Sequence, residues 1–124
     1  AVMTGHLLYS SVDPDIATFS TKWHDILRND MGFDGLVVTD DMLMLLNSGE
    51  DEYADPVANA VRALGAGGDL LLHVLAHDDA TSGVSPDQLK NGIVAAVQNG
   101  QLSQDRLDDA VRHVLKARIL ARDE

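Results

Sequence analysis

The chain has 124 residues, of which 45% are hydrophobic and 23% are charged, and it contains no cysteine. That length fits one domain with a sizeable core, but it is about half the ~250 residues of a complete eight-fold α/β barrel. Nine basic and 20 acidic residues give a formal charge of −11, so we expect neither nucleic acid nor an anionic membrane as a partner. Without cysteine there are no disulfides, thiolate metal sites or cysteine nucleophiles.

Targeting signals are absent from the residues given. No apolar run approaches the ~20 residues of a membrane span, and residues 1–10 lack the basic start of a signal peptide. We expect a soluble chain, bacterial cytoplasmic or secreted, and the sequence leaves its localisation open. Because the chain begins without methionine, inside what reads as a strand, we expect Ala1 to follow further sequence in a larger gene product.

The first half of the chain predicts strand, helix and strand. Residues 1–3 are apolar and precede a polar loop, and Ser20 is placed to cap a helix over residues 21–31. Residues 33–41 form an apolar run without alternation that ends abruptly in two aspartates. Such a run is typical of a parallel strand that is covered on both faces.

The second half predicts helix, strand and two further helices. Residues 56–64 begin with proline and end at a glycine cluster, and residues 69–75 form a second unalternating apolar run. Ser85 and Ser103 are placed to cap helices over residues 86–98 and 104–122. The alternation of strands and helices implies an α/β fold with parallel strands and right-handed crossovers in one compact unit.

The paired carboxylates Asp40 and Asp41 stand at the end of an apolar strand. Reacting groups of parallel α/β sheets and barrels come from the carboxyl ends of strands, so this position favours function. The alternative is that one aspartate caps the following helix and the other is solvated. Adjacent residues of a strand point to opposite sides, so we expect one of the two at most to face a given pocket.

Several other side chains have a structural and a functional interpretation. The apolar residues 42–46 predict either a short buried turn or helix behind the strand, or an interface with another chain. We expect His24 and His113 on helix surfaces. The spacing of His73 and residues 77–79 (His-Asp-Asp) suits zinc only on a helix, and His73 falls in a predicted strand, so we predict no metal site.

Three stretches carry a family resemblance. Residues 32–42 read Gly-Phe-Asp-Gly-Leu-Val-Val-Thr-Asp-Asp-Met, which resembles the nucleophile strand of glycoside hydrolase family 3. The doubled aspartate is similar to the bacterial β-N-acetylhexosaminidase branch of that family. Residues 2–6, with Tyr9 and residues 12–14, resemble the preceding strand and loop of that branch, and residues 66–72 resemble its following strand.

The resemblance implies a fold and a set of roles. The chain would be the C-terminal part of a family 3 catalytic domain, residues 1–124, with about three parallel strands near Val2, Val37 and Leu71 and four helices of a barrel of the triosephosphate isomerase type. Asp40 would be the nucleophile of a retaining glycosidase. His6 would contact the sugar, or else orient a neighbour or be buried. Asp41 would contact the substrate, or else orient the following loop.

The resemblance also implies what is missing. The branch carries an upstream Lys-His-Phe-Pro-Gly-His-Gly segment and a loop with an Asp-His acid/base dyad, and nothing of that kind occurs here. We therefore predict hydrolysis of terminal β-N-acetylglucosaminides, as in peptidoglycan turnover, only in a completed chain, and no appreciable activity alone. The partner would be a carbohydrate together with the missing N-terminal half or another copy, and we predict no cofactor. The alternatives are a non-catalytic module that binds sugar or a partner, and a self-associating half-barrel.

Overall fold

Two parallel strands form the sheet of the described part of the chain. The computed structural model describes residues 1–75 and 82–122. Strand β1 (Val2–Thr4) pairs in parallel with β2 (Val37–Thr39), and Val2 lies opposite Val37. The connection carries a 3₁₀ turn (Ala17–Phe19) and helix α1 (Thr21–Asp25), which continues as a π-helix (Ile26–Asp30). The predicted strand, helix and strand order of an α/β fold is confirmed.

The strands are shorter than the sequence predicts. In the segment before β2, Nη1 of Arg28 donates to the backbone carbonyls of Phe33 and Gly35, at 3.1 and 2.6 Å. These two carbonyls bond to a side chain instead of a strand, so residues 33–36 form a loop and β2 begins at Val37.

The prediction of a third regular strand over residues 69–75 is wrong. Only Leu70 forms a bridge, in parallel, with Val38. Beyond it the N–H of Leu72 donates to the side-chain Oγ1 of Thr39 at 3.1 Å, not to a backbone carbonyl. A side-chain acceptor ends the ladder at this point, so the segment follows β2 without forming a strand.

The remaining helices follow the predicted order. A short helix α2 (Leu43–Leu46) and a 3₁₀ turn (Asp51–Tyr53) precede three longer helices, α3 (Pro56–Ala66), α4 (Pro86–Gln98) and α5 (Gln104–Leu120). The predicted caps are confirmed, because side-chain oxygens accept from backbone N–H groups in the first turn at Ser20, Ser85 and Ser103. None of the helices in residues 1–75 and 82–122 has the length and apolar character needed to cross a membrane.

The core consists of two apolar clusters that meet at Leu71. One gathers Phe19, Met42, Leu45 and Ala63, and the other gathers Leu64, Ala96, Leu102 and Ala110; Leu71 packs against both. The apolar run at residues 42–46 forms the predicted short helix behind the strand, with Met42, Leu43 and Leu45 buried and Met44 exposed.

The carboxylate of Asp69 is the polar centre of the fold. Its side chain has no exposed surface. It accepts from Nη2 of Arg28 and Nη2 of Arg106, each at 2.6 Å, from the N–H of Val37 at 2.9 Å, and it lies 3.2 Å from Nδ1 of His113. One buried group therefore joins the π-helix, the amino end of β2 and α5.

The prediction that His24 and His113 lie on helix surfaces is wrong for both. His24 is 3% exposed, because Gly67 lies against it; a Cβ at Gly67 would be 2.7 Å from that of His24. The side chain of His113 is 11% exposed, since it faces Asp69. Both burials depend on residues more than 40 positions away in sequence.

Replacing Asp69 by asparagine should destabilise the fold by about 3–5 kcal/mol, because two guanidinium groups that are less than a fifth exposed lose the charge that neutralises them. Urea unfolding of Asp69→Asn checks this value. The matched control is Asp87→Asn, whose ion pair with Lys90 is exposed and should contribute about 1 kcal/mol or less. Equal losses in the two variants would contradict the central role of Asp69.

Burial lowers the pKa of His24 below its ordinary value. In the pH range below about 6.5 the unfolded chain then binds more protons at this site than the folded chain does, so stability falls as the pH falls. We expect the free energy of unfolding to decrease more between pH 7.5 and 5.5 in the natural chain than in His24→Gln, which cannot titrate. Parallel pH profiles of the two proteins would contradict this assignment.

Candidate active site

Asp40 lies at the carboxyl end of β2, beside the end of β1. Its N–H donates to the carbonyl of Thr4 at 2.9 Å, which extends the pairing of the two strands by one residue. The side chain is half-buried. Its Oδ1 accepts the N–H of Asp41 at 2.8 Å, and no other described residue donates to this carboxylate. One carboxylate oxygen is therefore held by the backbone, and Oδ2 has no protein donor among residues 1–75 and 82–122.

The side chain of Asp41 is occupied by backbone donors. Its Oδ1 accepts from the N–H of Leu43 at 3.1 Å and from the N–H of Val74 at 3.0 Å. This single oxygen links the start of α2 to the segment after the Leu70 bridge. The two adjacent aspartates thus have different partners, as the alternation of side chains along a strand predicts.

His6, at the end of β1, is held at both ring nitrogens. Nε2 lies 3.0 Å from the carbonyl oxygen of Asp41, and Nδ1 lies 2.8 Å from Oγ1 of Thr18. A carbonyl only accepts, so Nε2 of His6 carries a proton and donates. The hydroxyl of Thr18 has one proton, and it lies between two acceptors, Nδ1 of the neutral ring at 2.8 Å and the carbonyl oxygen of Gly5 at 3.2 Å. The ring fixes the Asp41 peptide against the loop that leads to α1.

The buried Thr39 and the half-buried His73 lie beside the two aspartates. Thr39 is 1% exposed, and its hydroxyl oxygen accepts the N–H of Leu72. Nε2 of His73 is buried without a hydrogen-bond partner in the described part of the chain. Burial lowers the pKa of His73, while the charge of Asp41 and a backbone hydrogen bond oppose that effect. An imidazole in these surroundings favours the neutral form.

The arrangement suits nucleophilic chemistry better than acid catalysis. Asp40 presents an oxygen without a protein donor on a carboxylate that the backbone already orients, as attack on an electrophilic carbon requires. Both nitrogens of His6 have protein partners, and Asp41 is held by two N–H groups. His6 therefore has no ring nitrogen left for a leaving group, whereas Asp41, like Asp40, keeps an Oδ2 without a donor in the described part of the chain.

The structure brings together the three residues that the sequence predicts for the site, namely His6, Asp40 and Asp41. It adds Thr18 and Thr39, which the sequence analysis does not identify. Thr39 directly precedes Asp40, so a strand-end position could have found it. No sequence pattern marks Thr18, since its contact with His6 depends on how the chain between β1 and α1 folds back.

Two groups of residues have side chains of the kind that bind metal ions. His73 lies in a segment without helical structure, and residues 77–79 of the predicted zinc spacing lie outside the described residues. Ligand-type atoms of Asp69, Asp109 and His113 lie within 4.8 Å of one another. The guanidinium of Arg106 already bonds to both of these carboxylates at 2.6 Å, so positive charge there comes from the protein.

The chain matches the family model described as the glycosyl hydrolase family 3 N-terminal domain over residues 1–117. The β-hexosaminidase of Bordetella pertussis (strain Tohama I) is 44% identical over 73 residues, which is 58% of this chain and 20% of that protein. The solved β-N-acetylglucosaminidase of Thermotoga maritima superposes with a TM-score of 0.71 at 33% identity, over 93% of this chain and 24% of that one.

A second solved structure agrees. The family 3 β-N-acetylglucosaminidase of Paenibacillus sp. FPU-7 has a TM-score of 0.71 and 33% identity, over 93% of this chain and 21% of that one. The matches thus extend over a fifth to a quarter of the length of these relatives. Because the family model covers nearly the whole sequence, the chain belongs to glycoside hydrolase family 3.

Proposed function

We propose that this chain is the nucleophile-bearing, C-terminal portion of a family 3 catalytic domain that hydrolyses terminal β-N-acetylglucosaminides. Asp40 is the nucleophile in this proposal. The observation that carries it is the position of Asp40, half-buried at the carboxyl end of β2, with one oxygen held by the N–H of Asp41 and the other without a protein donor. The names of the relatives support the choice of sugar.

The proposed reaction follows the retaining route. The ionised Asp40 carboxylate attacks the anomeric carbon, the bond to the leaving oxygen breaks, and a covalent glycosyl-enzyme forms. Water then releases the sugar and restores the carboxylate. The N–H of Asp41 fixes one oxygen of Asp40 throughout, so the attacking oxygen keeps its direction.

In this proposal His6 and Asp41 act as positioning residues beside the sugar. His6 donates to the Asp41 carbonyl, and the Asp41 carboxylate accepts two backbone N–H groups. Their hydrogen-bonding capacity is directed mainly at the protein. Contact with the substrate is left to Oδ2 of Asp40, to Oδ2 of Asp41 and to the residues that complete the site.

Completion of the site is required because protonation of the leaving oxygen contributes roughly 10²- to 10⁴-fold to the rate. Asp41 is the acid group next to Asp40 in sequence, and its Oδ1 is committed to two backbone N–H donors, so the proposal assigns this step to a residue outside the given sequence. The chain represents a quarter of the T. maritima relative, so the proposed active form contains the rest of a family 3 barrel, of which this chain supplies the final strands and helices.

The isolated chain should show no turnover of an aryl N-acetylglucosaminide. A chimera in which this chain replaces the matched segment of the T. maritima enzyme should be active. In that chimera Asp40→Asn should lose about 10⁴-fold or more in kcat, because an amide cannot form the covalent intermediate. Steady-state kinetics measures each value, and turnover by the isolated chain that Asp40→Asn abolishes would contradict the need for completion.

The two roles considered for Asp41, positioning and substrate contact, predict different effects of two substitutions at this position. A positioning role needs only an oxygen acceptor, so Asp41→Asn in the chimera should keep kcat within about tenfold. Asp41→Ala should lose about 10²-fold and lower the melting temperature, since the N–H groups of Leu43 and Val74 lose their acceptor. The kcat values and thermal unfolding of both variants test this. A loss in Asp41→Asn as large as that in Asp41→Ala would indicate that the charge of Asp41 is needed.

A further inference from the structure

The chain contains two Asn-Gly pairs, Asn91-Gly92 and Asn99-Gly100, in different surroundings. In such a pair the amide nitrogen of the glycine can attack Cγ of the asparagine before it and close a five-membered ring. Glycine has no Cβ to hinder this approach. Each of the three other asparagines precedes a residue with a side chain, which hinders the attack. The two Asn-Gly pairs are therefore the candidate positions for this reaction.

The pair Asn91-Gly92 is enclosed by the fold. It lies in the interior of α4, where an N–H donates to the carbonyl four residues earlier. A Cβ at Gly92 would lie 2.1 Å from Cγ1 of Val57, so the backbone of α4 packs directly against α3 at this glycine. Ring closure at Asn91 therefore requires part of α4 to unfold and to separate from α3.

The pair Asn99-Gly100 lies just beyond the end of α4, and both residues are exposed. Gly100 has a φ of +83°, and a Cβ placed on it would meet no described atom within 4 Å. Its N–H donates to the carbonyl of Val97 at 3.2 Å. Because terminal turns of helices open at little cost in free energy, the nitrogen of Gly100 becomes available while the rest of α4 stays folded.

The side chain of Asn99 is already folded back on the chain. Its Oδ1 accepts the N–H of Gln101 at 3.0 Å, and its Nδ2 donates to Oε1 of Gln101 at 3.2 Å. A bond from an asparagine oxygen to the N–H two residues later holds the side chain against the residue between them, which here is Gly100. The N–H of Gln101 also faces the oxygen on which negative charge develops when Cγ is attacked.

We propose that Asn99 is a site of spontaneous deamidation, with water as the co-reactant. The nitrogen of Gly100 gives its proton to the solvent and forms a bond to Cγ of Asn99. The bond from Cγ to Nδ2 breaks, and Nδ2 takes up a proton and leaves as ammonia. Water then opens the succinimide ring at either carbonyl, which gives aspartate or, with one more methylene in the backbone, isoaspartate. The inference does not depend on the proposed function.

The turn that contains this site holds α5 on the core. The N–H of Leu102 donates to the carbonyl of Ala96 at 3.1 Å, and Leu102 is 2% exposed. The next residue, Ser103, caps α5, from which Arg106 reaches the buried carboxylate of Asp69. Isoaspartate lengthens the backbone between Ala96 and Leu102, and its negative charge lies at the unfavourable end of the α4 dipole. Modified molecules should therefore be less stable.

The two pairs can be compared within one chain. The purified chain is aged at mildly alkaline pH, both in native buffer and in urea, and proteolytic peptides are analysed for the mass increase that accompanies conversion of an amide to an acid. In urea we expect similar rates at Asn91 and Asn99, since local sequence alone then decides. In native buffer Asn91 should react at least about tenfold more slowly than Asn99.

A cooperative urea transition of the native sample shows that the aged chain is folded. The chimera with the T. maritima enzyme carries the same two pairs and should give the same order of rates. Equal rates at Asn91 and Asn99 in folded protein, or faster reaction at Asn91, would overturn the inference.

Two variants test the effect on stability. Asn99→Ser cannot form the ring and keeps an oxygen that can accept the N–H of Gln101. Asn91→Ser is the matched control. After ageing, the natural chain and Asn91→Ser should each contain a fraction that unfolds at lower urea, equal to the fraction modified at Asn99, whereas Asn99→Ser should not. Such a fraction in aged Asn99→Ser, or modification at Asn99 without loss of stability, would contradict the effect assigned to this turn.

Discussion

The buried carboxylate of Asp69 is the interaction on which the other elements depend. It receives two guanidinium groups and a backbone N–H, it faces His113, and its own side chain has no exposed surface. Those partners come from the π-helix, β2 and α5, so one side chain fixes three elements that share few apolar contacts. Such a centre costs desolvation energy and is stable only when every partner is in place, which makes the fold sensitive to the loss of any one of them.

Asp69 lies at the amino end of the sheet, and Asp40 lies at the carboxyl end. This separation lets one end of the strands carry stability while the other holds the proposed nucleophile, the arrangement typical of α/β barrels. At the amino end both oxygens of Asp69 are neutralised by arginine. At the carboxyl end the backbone, through the N–H of Asp41, holds one oxygen of Asp40 and no cation approaches it within the described residues. Because no cation or second N–H binds the Asp40 carboxylate among the described residues, its Oδ2 has no protein donor there.

Local signals made the sequence informative in some regions and uninformative in others. The caps at Ser20, Ser85 and Ser103 depend on the next three residues, so the helix starts could be predicted, and Asp40 could be placed because an apolar run ended there. His113 could not be placed, since its partner Asp69 is 44 residues away and a helix pattern alone puts it on the surface. The prediction of a third strand was wrong for a similar reason, because it depended on a distant residue. The hydroxyl of Thr39, 33 residues earlier, takes the place of a backbone acceptor for Leu72.

The two strands hold the candidate site through one series of hydrogen bonds. Two residues after the end of β1, His6 donates to the carbonyl of Asp41. The N–H of the same Asp41 donates to the carboxylate of Asp40, at the end of β2. A shift of the loop that carries His6 would therefore move the Asp41 peptide and, with it, the oxygen of Asp40 that this peptide orients. In the proposed enzyme the direction of the nucleophile thus depends on the loop after β1 as well as on β2 itself.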